Sequence, residues 1–204
     1  MHNLINAIPL YNFIKYCNAS GLEKIVLDCG AGGANPPLSL FDEFNYKIYG
    51  IELCDEQIER AKVFCENHNV NLNIIKGDMT EIPFENKSFN FLYSYNTSVH
   101  IRKKDFASAL KEFYRVLNIE GLCYVNFLSE ECDSFGQGLI IGDGEFLNND
   151  DGEEVFYVHY KEVEAEEILK NSGFKIIYKE KRIISRINNG VEQKTAHIDF
   201  ILQK

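Results

Sequence analysis

The chain has 204 residues, a net charge of −10 and 45% hydrophobic residues. This length favours a single domain with a substantial core. The negative charge, without any long run of Lys and Arg, argues against a nucleic-acid backbone as the main partner. No stretch of about 18 apolar residues occurs, and the N-terminus has no basic region followed by an apolar run, so we expect neither a membrane span nor a signal peptide.

The six cysteines are spread along the chain without any Cys-x-x-Cys pair. Several fall in apolar segments, where a free cysteine packs as a small hydrophobic side chain. We therefore expect reduced structural thiols in a cytoplasmic protein, and neither a metal site nor a disulfide framework.

Residues 3–18 carry apolar side chains at a spacing that fits short amphipathic helices around Pro9. Such a segment can pack against the edge of a sheet. It can also lie as a lid over a bound ligand, with Tyr11 or Phe13 as an apolar wall. The sequence leaves both interpretations open.

Residues 24–40 read KIVLDCGAGGANPPLSL and predict a strand, a glycine turn and a helix. The apolar run that ends at Asp28 is typical of a buried parallel strand. Gly30 and Gly32 let the backbone come close to a ligand, and the proline pair suits the first turn of a helix over 36–44. In an open α/β sheet, a nucleotide-like ligand binds at such a turn.

The glycine spacing narrows the kind of ligand. A dinucleotide fingerprint has glycine at its first, third and sixth positions, but the sixth position counted from Gly30 is Asn35. The turn also lacks the Lys-Ser or Lys-Thr pair of a P-loop. The remaining pattern, Asp28-x-Gly30-x-Gly32-x-Ala34, resembles the first motif of class I S-adenosylmethionine-dependent methyltransferases, with Ala34 in place of the usual third glycine.

The end of the second predicted strand, 46–53, agrees with this resemblance. Glu52 lies about 20 residues after the glycine turn, where an acid can accept hydrogen bonds from both ribose hydroxyls. The alternative role is to cap the next helix, 55–69, and we assign that role to Asp55. The resemblance also implies a contact with the methyl donor by Leu53.

Residues 72–75 predict the third strand, and Asp78 and Met79 follow it. In the resembled family an aspartate here accepts a hydrogen bond from the adenine amine, and the next residue donates a backbone N–H. The alternative is a simple Gly-Asp turn. The resemblance continues through the run EIPFENKSFN, in which Asn90 stands where aspartate is usual.

Residues 89–95 predict the fourth strand, with Tyr95 and Asn96 at its end. In the resembled family, donor and acceptor meet at this end. His100 stands where the family frequently has a histidine, although a single histidine at a helix start is more often structural than catalytic.

A helix over 103–117 and a strand over 122–128 continue the alternation, and residues 128–160 then break it. This segment holds five glycines, nine acids and no Lys or Arg. It is too long for a plain connection and too apolar for disorder, so we expect an ordered insertion that recognises the substrate. Its aromatic side chains are of the kind that line small-molecule pockets: Phe135, Phe146, Phe156 and Tyr157. The alternative is a flap that buries itself against a second subunit. Its acids could attract a cationic acceptor or simply form a solvated surface.

A helix over 161–171 precedes two strands, 174–184 and 195–202, which the hairpin signal Asn189-Gly190 joins. The last two strands are therefore antiparallel neighbours. The elements together predict an α/β, Rossmann-like, seven-stranded, mostly parallel sheet with an antiparallel last strand and helices on both faces. We expect one domain over residues 1–204.

The resemblance spans nearly the whole chain and implies an enzyme that uses S-adenosylmethionine to methylate an unidentified, small-molecule acceptor. Two alternatives stay open: a protein that binds S-adenosylmethionine without catalysis, and a nucleotide-dependent Rossmann oxidoreductase. No general base is evident, with His159, Asp133 and Tyr95 as candidates. We expect no nucleic-acid or membrane partner, and a homodimer stays open. The implied donor-binding residues are Asp28, Gly30, Gly32, Glu52, Leu53, Asp78, Met79, Tyr95, Asn96 and Tyr11.

Overall fold

The computed structural model describes residues 8–150, 152–188 and 191–204. Within them lie five α-helices and ten β-strands. The helices are α1 (Ile8–Ser20), α2 (Leu38–Glu43), α3 (Asp55–His68), α4 (Lys103–Val116) and α5 (Glu162–Asn171). The strands are β1 (Ile25–Cys29), β2 (Lys47–Glu52), β3 (Ile74–Lys76), β4 (Phe89–Ser94), β5 (Leu117–Ser129), β6 (Leu139–Gly142), β7 (Glu145–Asp150), β8 (Glu153–Tyr160), β9 (Lys175–Asn188) and β10 (Val191–Gln203). A one-turn 3-10 helix, Ser98–His100, precedes α4.

The centre of the fold is a sheet in the order β3-β2-β1-β4-β5, with all five strands parallel. β10 pairs antiparallel with β5, and β9 pairs antiparallel with β10. The predicted Rossmann-like sheet with an antiparallel last strand is therefore confirmed. The predicted turn Asn189-Gly190 lies outside the described residues, and the two strands beside it pair antiparallel along their length.

The number of strands differs from the prediction, because the sheet has ten described strands and not seven. The additional three, β6, β7 and β8, lie within the predicted insertion, and we call residues 139–160 the excursion. β8 runs parallel to the last two residues of β5, and β7 and β6 follow it as an antiparallel meander. The pair Asp143-Gly144, which joins β6 to β7, is a hairpin signal from which this turn could have been predicted.

Helices cover both faces of the sheet, as predicted. α1, α2 and α3 bury apolar side chains against one face, where Phe41 stacks on Tyr93 with ring centroids 4.8 Å apart. α4 and α5 cover the other face. The buried positions of α4 recur every three or four residues, which turns one stripe of the helix inward. They are Phe106, Ala109, Leu110, Phe113 and Val116.

From residue 8 onwards, the N-terminal segment forms one helix, α1, with Pro9 in its first turn where a missing N–H costs little. Phe13 is fully buried and packs against Phe41 and Tyr124. The sheet-packing interpretation is thus correct for α1, and Phe13 is a core residue and not a pocket wall. Residues 3–7 of the predicted segment lie outside the described residues. Among the described helices, none is both long and apolar enough to cross a membrane.

Candidate functional site

A cavity of about 830 Å³ lies where β1, β2, β3 and β4 end, at the carboxyl edge of the parallel sheet. Ligands bind at this edge in open α/β sheets. Five of the residues predicted to bind a donor line it: Gly30, Glu52, Leu53, Asp78 and Met79. The structure thus brings together residues from three separate strand ends.

The glycine turn is tied to β2 by its own backbone. The N–H groups of Gly30 and Ala31 both donate to the Ile51 carbonyl oxygen, at 2.9 and 3.0 Å. Gly30 has φ of +102°, and a Cβ there would collide with the side chain of Thr97. Only glycine fits this position, because both the backbone conformation and the space exclude a side chain.

Glu52 holds the turn and the start of α3 together. Its Oε2 accepts the Gly32 N–H at 3.1 Å, and its Oε1 accepts the Cys54 N–H at 2.9 Å. The prediction that Asp55 caps α3 was wrong, because Asp55 is the first helical residue and Cys54 occupies the cap position. Asp55 instead pairs with Lys76 at 2.5 Å. A carboxylate has about four lone-pair sites, so Glu52 retains capacity to accept from a ligand.

Asp78 forms a tight turn and also faces the cavity, so both interpretations of the Gly-Asp pair describe it. Its Oδ1 accepts hydrogen bonds from the backbone N–H and the hydroxyl of Thr80, at 2.8 and 2.7 Å. Its Oδ2 receives no hydrogen bond from the described residues. The cavity wall therefore offers one carboxylate oxygen to a hydrogen-bond donor.

Asp28 lies behind the glycine turn and not in the cavity wall. Its carboxyl group is 1% exposed and accepts a hydrogen bond from the Tyr93 hydroxyl at 2.7 Å. Burial raises the pKa of Asp28 to about 8, against the opposing effect of the Tyr93 bond and with a contribution from the charge of Glu52. Asp28 therefore lies behind the glycine turn, where it joins β1 to β4 through Tyr93.

Four other predicted residues do not line this cavity. The first is Gly32, whose backbone N–H donates to Glu52. The Asn96 backbone N–H donates to the Asn126 side chain at 2.8 Å, and Asn126 returns a bond to the Asn96 amide oxygen at 2.7 Å. Tyr95 packs against the Tyr124 ring at 6.2 Å. Tyr11 meets the ring of Phe44, beyond the end of α2.

Part of the cavity wall was not predicted from the sequence. Arg102 and Asp105, at the start of α4, line it together with His100 and with Phe156 of the excursion. His100 stands at a family position, and Phe156 is one of the four aromatic side chains expected to line a pocket, whereas the other three do not line this cavity. No local pattern marks Arg102 or Asp105 as cavity residues.

A buried carboxylate docks the excursion. Glu145 on β7 accepts the Lys103 N–H at 2.8 Å and two hydrogen bonds from the Arg102 guanidinium at 3.1 and 3.2 Å. The Arg102 side chain at the cap position makes no capping bond itself, so Glu145 satisfies the start of α4 from another element. Lys103 also pairs with Glu164 of α5 at 2.7 Å.

Several acids of the insertion form ion pairs or hydrogen bonds with other parts of the chain. Besides Glu145, Glu131 pairs with Lys181 at 2.6 Å, and Asp133 accepts the Lys194 N–H at 2.6 Å. These contacts leave less negative charge for a cationic acceptor than the composition suggests.

The three predicted general bases lie outside the cavity wall. Asp133 is engaged with Lys194, and Tyr95 packs on Tyr124. His159 is buried between the rings of Phe135 and Phe146. Burial lowers the pKa of His159 to about 4, and the charge of Lys103 acts in the same direction.

A family model described as a methyltransferase domain matches residues 26–121. This match contains the glycine turn, Glu52, Asp78 and the strand ends that form the cavity.

Curated relatives include sterol 24-C-methyltransferases of fungi. The protein of Candida albicans is 29% identical over 168 residues, which are 77% of this chain and 41% of that protein. The protein of Pneumocystis carinii is 37% identical over 103 residues, which are 48% of this chain and 26% of that protein. The chain thus spans about two fifths, or less, of the curated relatives it matches.

Solved structures share the fold. A methyltransferase from Methanosarcina mazei has a TM-score of 0.73 at 21% identity, covering 92% of this chain and 96% of that one. A 1,6-didemethyltoxoflavin-N1-methyltransferase from Burkholderia thailandensis has a TM-score of 0.66 at 14% identity, covering 98% and 79%. The order of the motifs, the family model and this fold agree: residues 26–121 match a methyltransferase domain, and the fold is shared with S-adenosylmethionine-dependent methyltransferases.

Proposed function

We propose that the cavity binds S-adenosylmethionine and that the protein transfers its methyl group to a small-molecule acceptor. The observation that carries this proposal is the meeting of Gly30, Glu52 and the Asp78-Met79 pair in one cavity. Each comes from a different strand end. A volume of about 830 Å³ falls in the range of roughly 300–1,000 Å³ that small-molecule sites occupy.

The residues present fit the donor. Glu52 can accept from ribose hydroxyls while its backbone bonds to Gly32 and Cys54 keep the carboxylate in place. The Oδ2 of Asp78 can accept from the adenine amine. Leu53 and Met79 offer apolar surface to the adenine ring. Gly30 presents its backbone to the cavity without a side chain, so the amino-acid portion of the donor can lie against it.

The chemistry demands little beyond alignment. The sulfonium supplies a methyl group that is already activated, so the protein mainly orients the two reactants and excludes water. Glu52 and Asp78 fix the donor at two distant points, and Phe156 covers the cavity from the excursion. This arrangement supports a rigid donor site with the acceptor entering beside it.

The acceptor class is supported by two observations. The curated relatives are named for methylation of a sterol, which is a small molecule. Apolar side chains of Ile101 and Phe156 contribute to the cavity wall. Because those relatives are more than twice as long as the matched region, the proposal extends to the small-molecule class of the acceptor and does not name a sterol.

We further propose that residues 1–204 act as one domain, with residues 128–160 as the substrate-recognition insertion. The docking of Glu145 on α4 beside the cavity supports this role. The net charge of −10 supports the absence of a nucleic-acid partner. Six free cysteines support a cytoplasmic location. A homodimer stays a hypothesis.

The test has two steps. Calorimetry should show binding of S-adenosylmethionine and S-adenosylhomocysteine, and absence of binding at millimolar concentration would reject the proposal. Incubation with donor labelled in its methyl group should then move label into the small-molecule fraction of a cell extract. Binding without transfer to any fraction would favour a binding protein without catalysis.

A further inference from the structure

The orientation of His100 is fixed by a backbone carbonyl of the excursion. Its Nδ1 lies 2.8 Å from the carbonyl oxygen of Phe156. A carbonyl oxygen can only accept, so Nδ1 must carry the hydrogen. In the neutral ring, Nε2 then has a free lone pair and is the nitrogen that can take a proton.

Two further contacts keep this geometry. The ring of Tyr157 meets the His100 ring edge-on, with centroids 5.5 Å apart. His100 ends the short helix Ser98–His100, which lies beside β8. A histidine held on one nitrogen by an acceptor, with the other nitrogen free, has the arrangement that general bases require.

The other described histidines do not meet these conditions. His159 and His197 lie away from the cavity wall, and burial lowers the pKa of each to about 4. Nδ1 of His197 faces the amide nitrogen of Asn126 at 3.3 Å, so this nitrogen accepts and Nε2 carries the hydrogen. His68 donates from Nδ1 to the Phe64 carbonyl at 2.9 Å, but on α3, outside the cavity wall.

We propose that His100 is the general base of the methyl transfer and that the acceptor carries its proton on the attacking oxygen, nitrogen or sulfur. This inference rests on the proposed function. The nucleophile forms its bond to the methyl carbon as the carbon–sulfur bond breaks, and the bonding pair stays on sulfur. The proton of the nucleophile passes to Nε2 of His100, and from there to water.

The excursion is thereby part of the catalytic apparatus. Phe156 places its carbonyl on His100 and its side chain in the cavity wall, and Glu145 docks the same meander on α4. The charged groups that share the cavity with His100 are Glu52, Asp78, Arg102 and Asp105, and Arg102 is paired with Glu145.

The first test locates the proton on each histidine and needs no acceptor. Long-range ¹H–¹⁵N correlation spectra of the full chain, recorded where the rings are neutral, should show Nδ1–H for His100 and His68 and Nε2–H for His197. Signals are assigned with the H100Q and H68Q variants. Saturating S-adenosylhomocysteine should move the Nε2 signal of His100 and leave that of His68 in place.

An Nε2–H form of His100 would overturn the inference, as would a His100 signal that bound S-adenosylhomocysteine does not change. These results differ from failure of the proposed function, in which the wild-type chain binds no S-adenosylhomocysteine at all. Calorimetry should give the control H68Q and wild type the same affinity for S-adenosylhomocysteine, because His68 lies on α3, outside the cavity wall.

The second test uses phenol, benzylamine and benzyl mercaptan as acceptor probes with labelled donor. For a probe that the wild type methylates, H100Q should lose about 10²–10⁴-fold in rate. It should also lose the limb of the pH profile that reports the base, while H68Q keeps both. Equal rates and equal profiles for H100Q and wild type would overturn the inference.

Discussion

Replacing Glu145 with Ala should release the excursion from α4. Glu145 has an 8% exposed side chain and accepts three hydrogen bonds, from the Lys103 N–H and from two nitrogens of Arg102. Glu145→Ala leaves the partly buried first N–H of α4 without this acceptor. It also removes an anion from the positive end of a helix.

The magnitude follows from these bonds. A hydrogen bond to a charged group contributes about 1.5–3 kcal/mol, and the helix-terminus interaction adds about 0.3–1 kcal/mol. The Arg102 pair adds little, because that guanidinium is 41% exposed and exposed pairs contribute about 0–1 kcal/mol. We expect a loss of about 2–4 kcal/mol in the free energy of unfolding, which lowers Tm by roughly 4–16 °C for a domain of this size.

The assay compares thermal unfolding of wild type, Glu145→Ala and the control Glu154→Ala. Glu154 carries the same charge on the same excursion but is exposed, so its variant should stay within about 0.5 kcal/mol of wild type. Hydrogen exchange should accelerate in β6, β7 and β8 of Glu145→Ala before it does in β1 or β4. Equal Tm values for the two variants would refute the docking role of Glu145.

Three further predictions concern the cavity and the buried Asp28 behind it. Glu52→Ala should weaken S-adenosylhomocysteine binding about tenfold to a hundredfold, since charge-assisted bonds contribute about 1.5–3 kcal/mol. Calorimetry checks this against the control Glu56→Ala, in which an exposed acid on α3 is replaced. Gly30→Ala should abolish donor binding and lower Tm, because the residue has φ of +102° and its Cβ would strike Thr97, and a variant with normal affinity would contradict that geometry. The free energy of unfolding should fall between pH 6.5 and 8 by up to about 1.4 kcal/mol per pH unit. The reason is that the pKa of Asp28 is raised to about 8 in the folded protein, so folded Asp28 keeps a proton that the unfolded chain has lost. His159 and His197, with folded pKa values near 4, act in the opposite direction only below about pH 6.5. Asp28→Asn should flatten the fall above pH 6.5, and denaturant titrations that show the same slope in both proteins would reject the assignment.

The sheet could be predicted because its signals are local. Apolar runs bounded by glycines mark β1 and β4, and a stripe of buried residues marks α4. The positions of Glu52 and Asp78 follow from strand ends, since parallel strands finish at one edge. The identity of the ligand came from the resemblance to a known family, because the spacing of the motifs alone cannot name a ligand.

The remaining part of the site depends on contacts between distant segments. The Phe156 carbonyl bonds to His100 across 56 residues, and Glu145 bonds to Lys103 across 42. No periodicity in either segment encodes such a pairing. Tyr11 and Tyr95 were assigned by family position, and the structure places both against aromatic rings outside the cavity wall.

The most direct test of the donor site is a crystal structure of the full chain with S-adenosylhomocysteine. We predict that Glu52 accepts hydrogen bonds from both ribose hydroxyls, that Oδ2 of Asp78 accepts from the adenine amine, and that the ligand backs onto the turn at Gly30. S-adenosylhomocysteine bound elsewhere, or bound in this cavity without contact to Glu52 and Asp78, would contradict the proposed donor site.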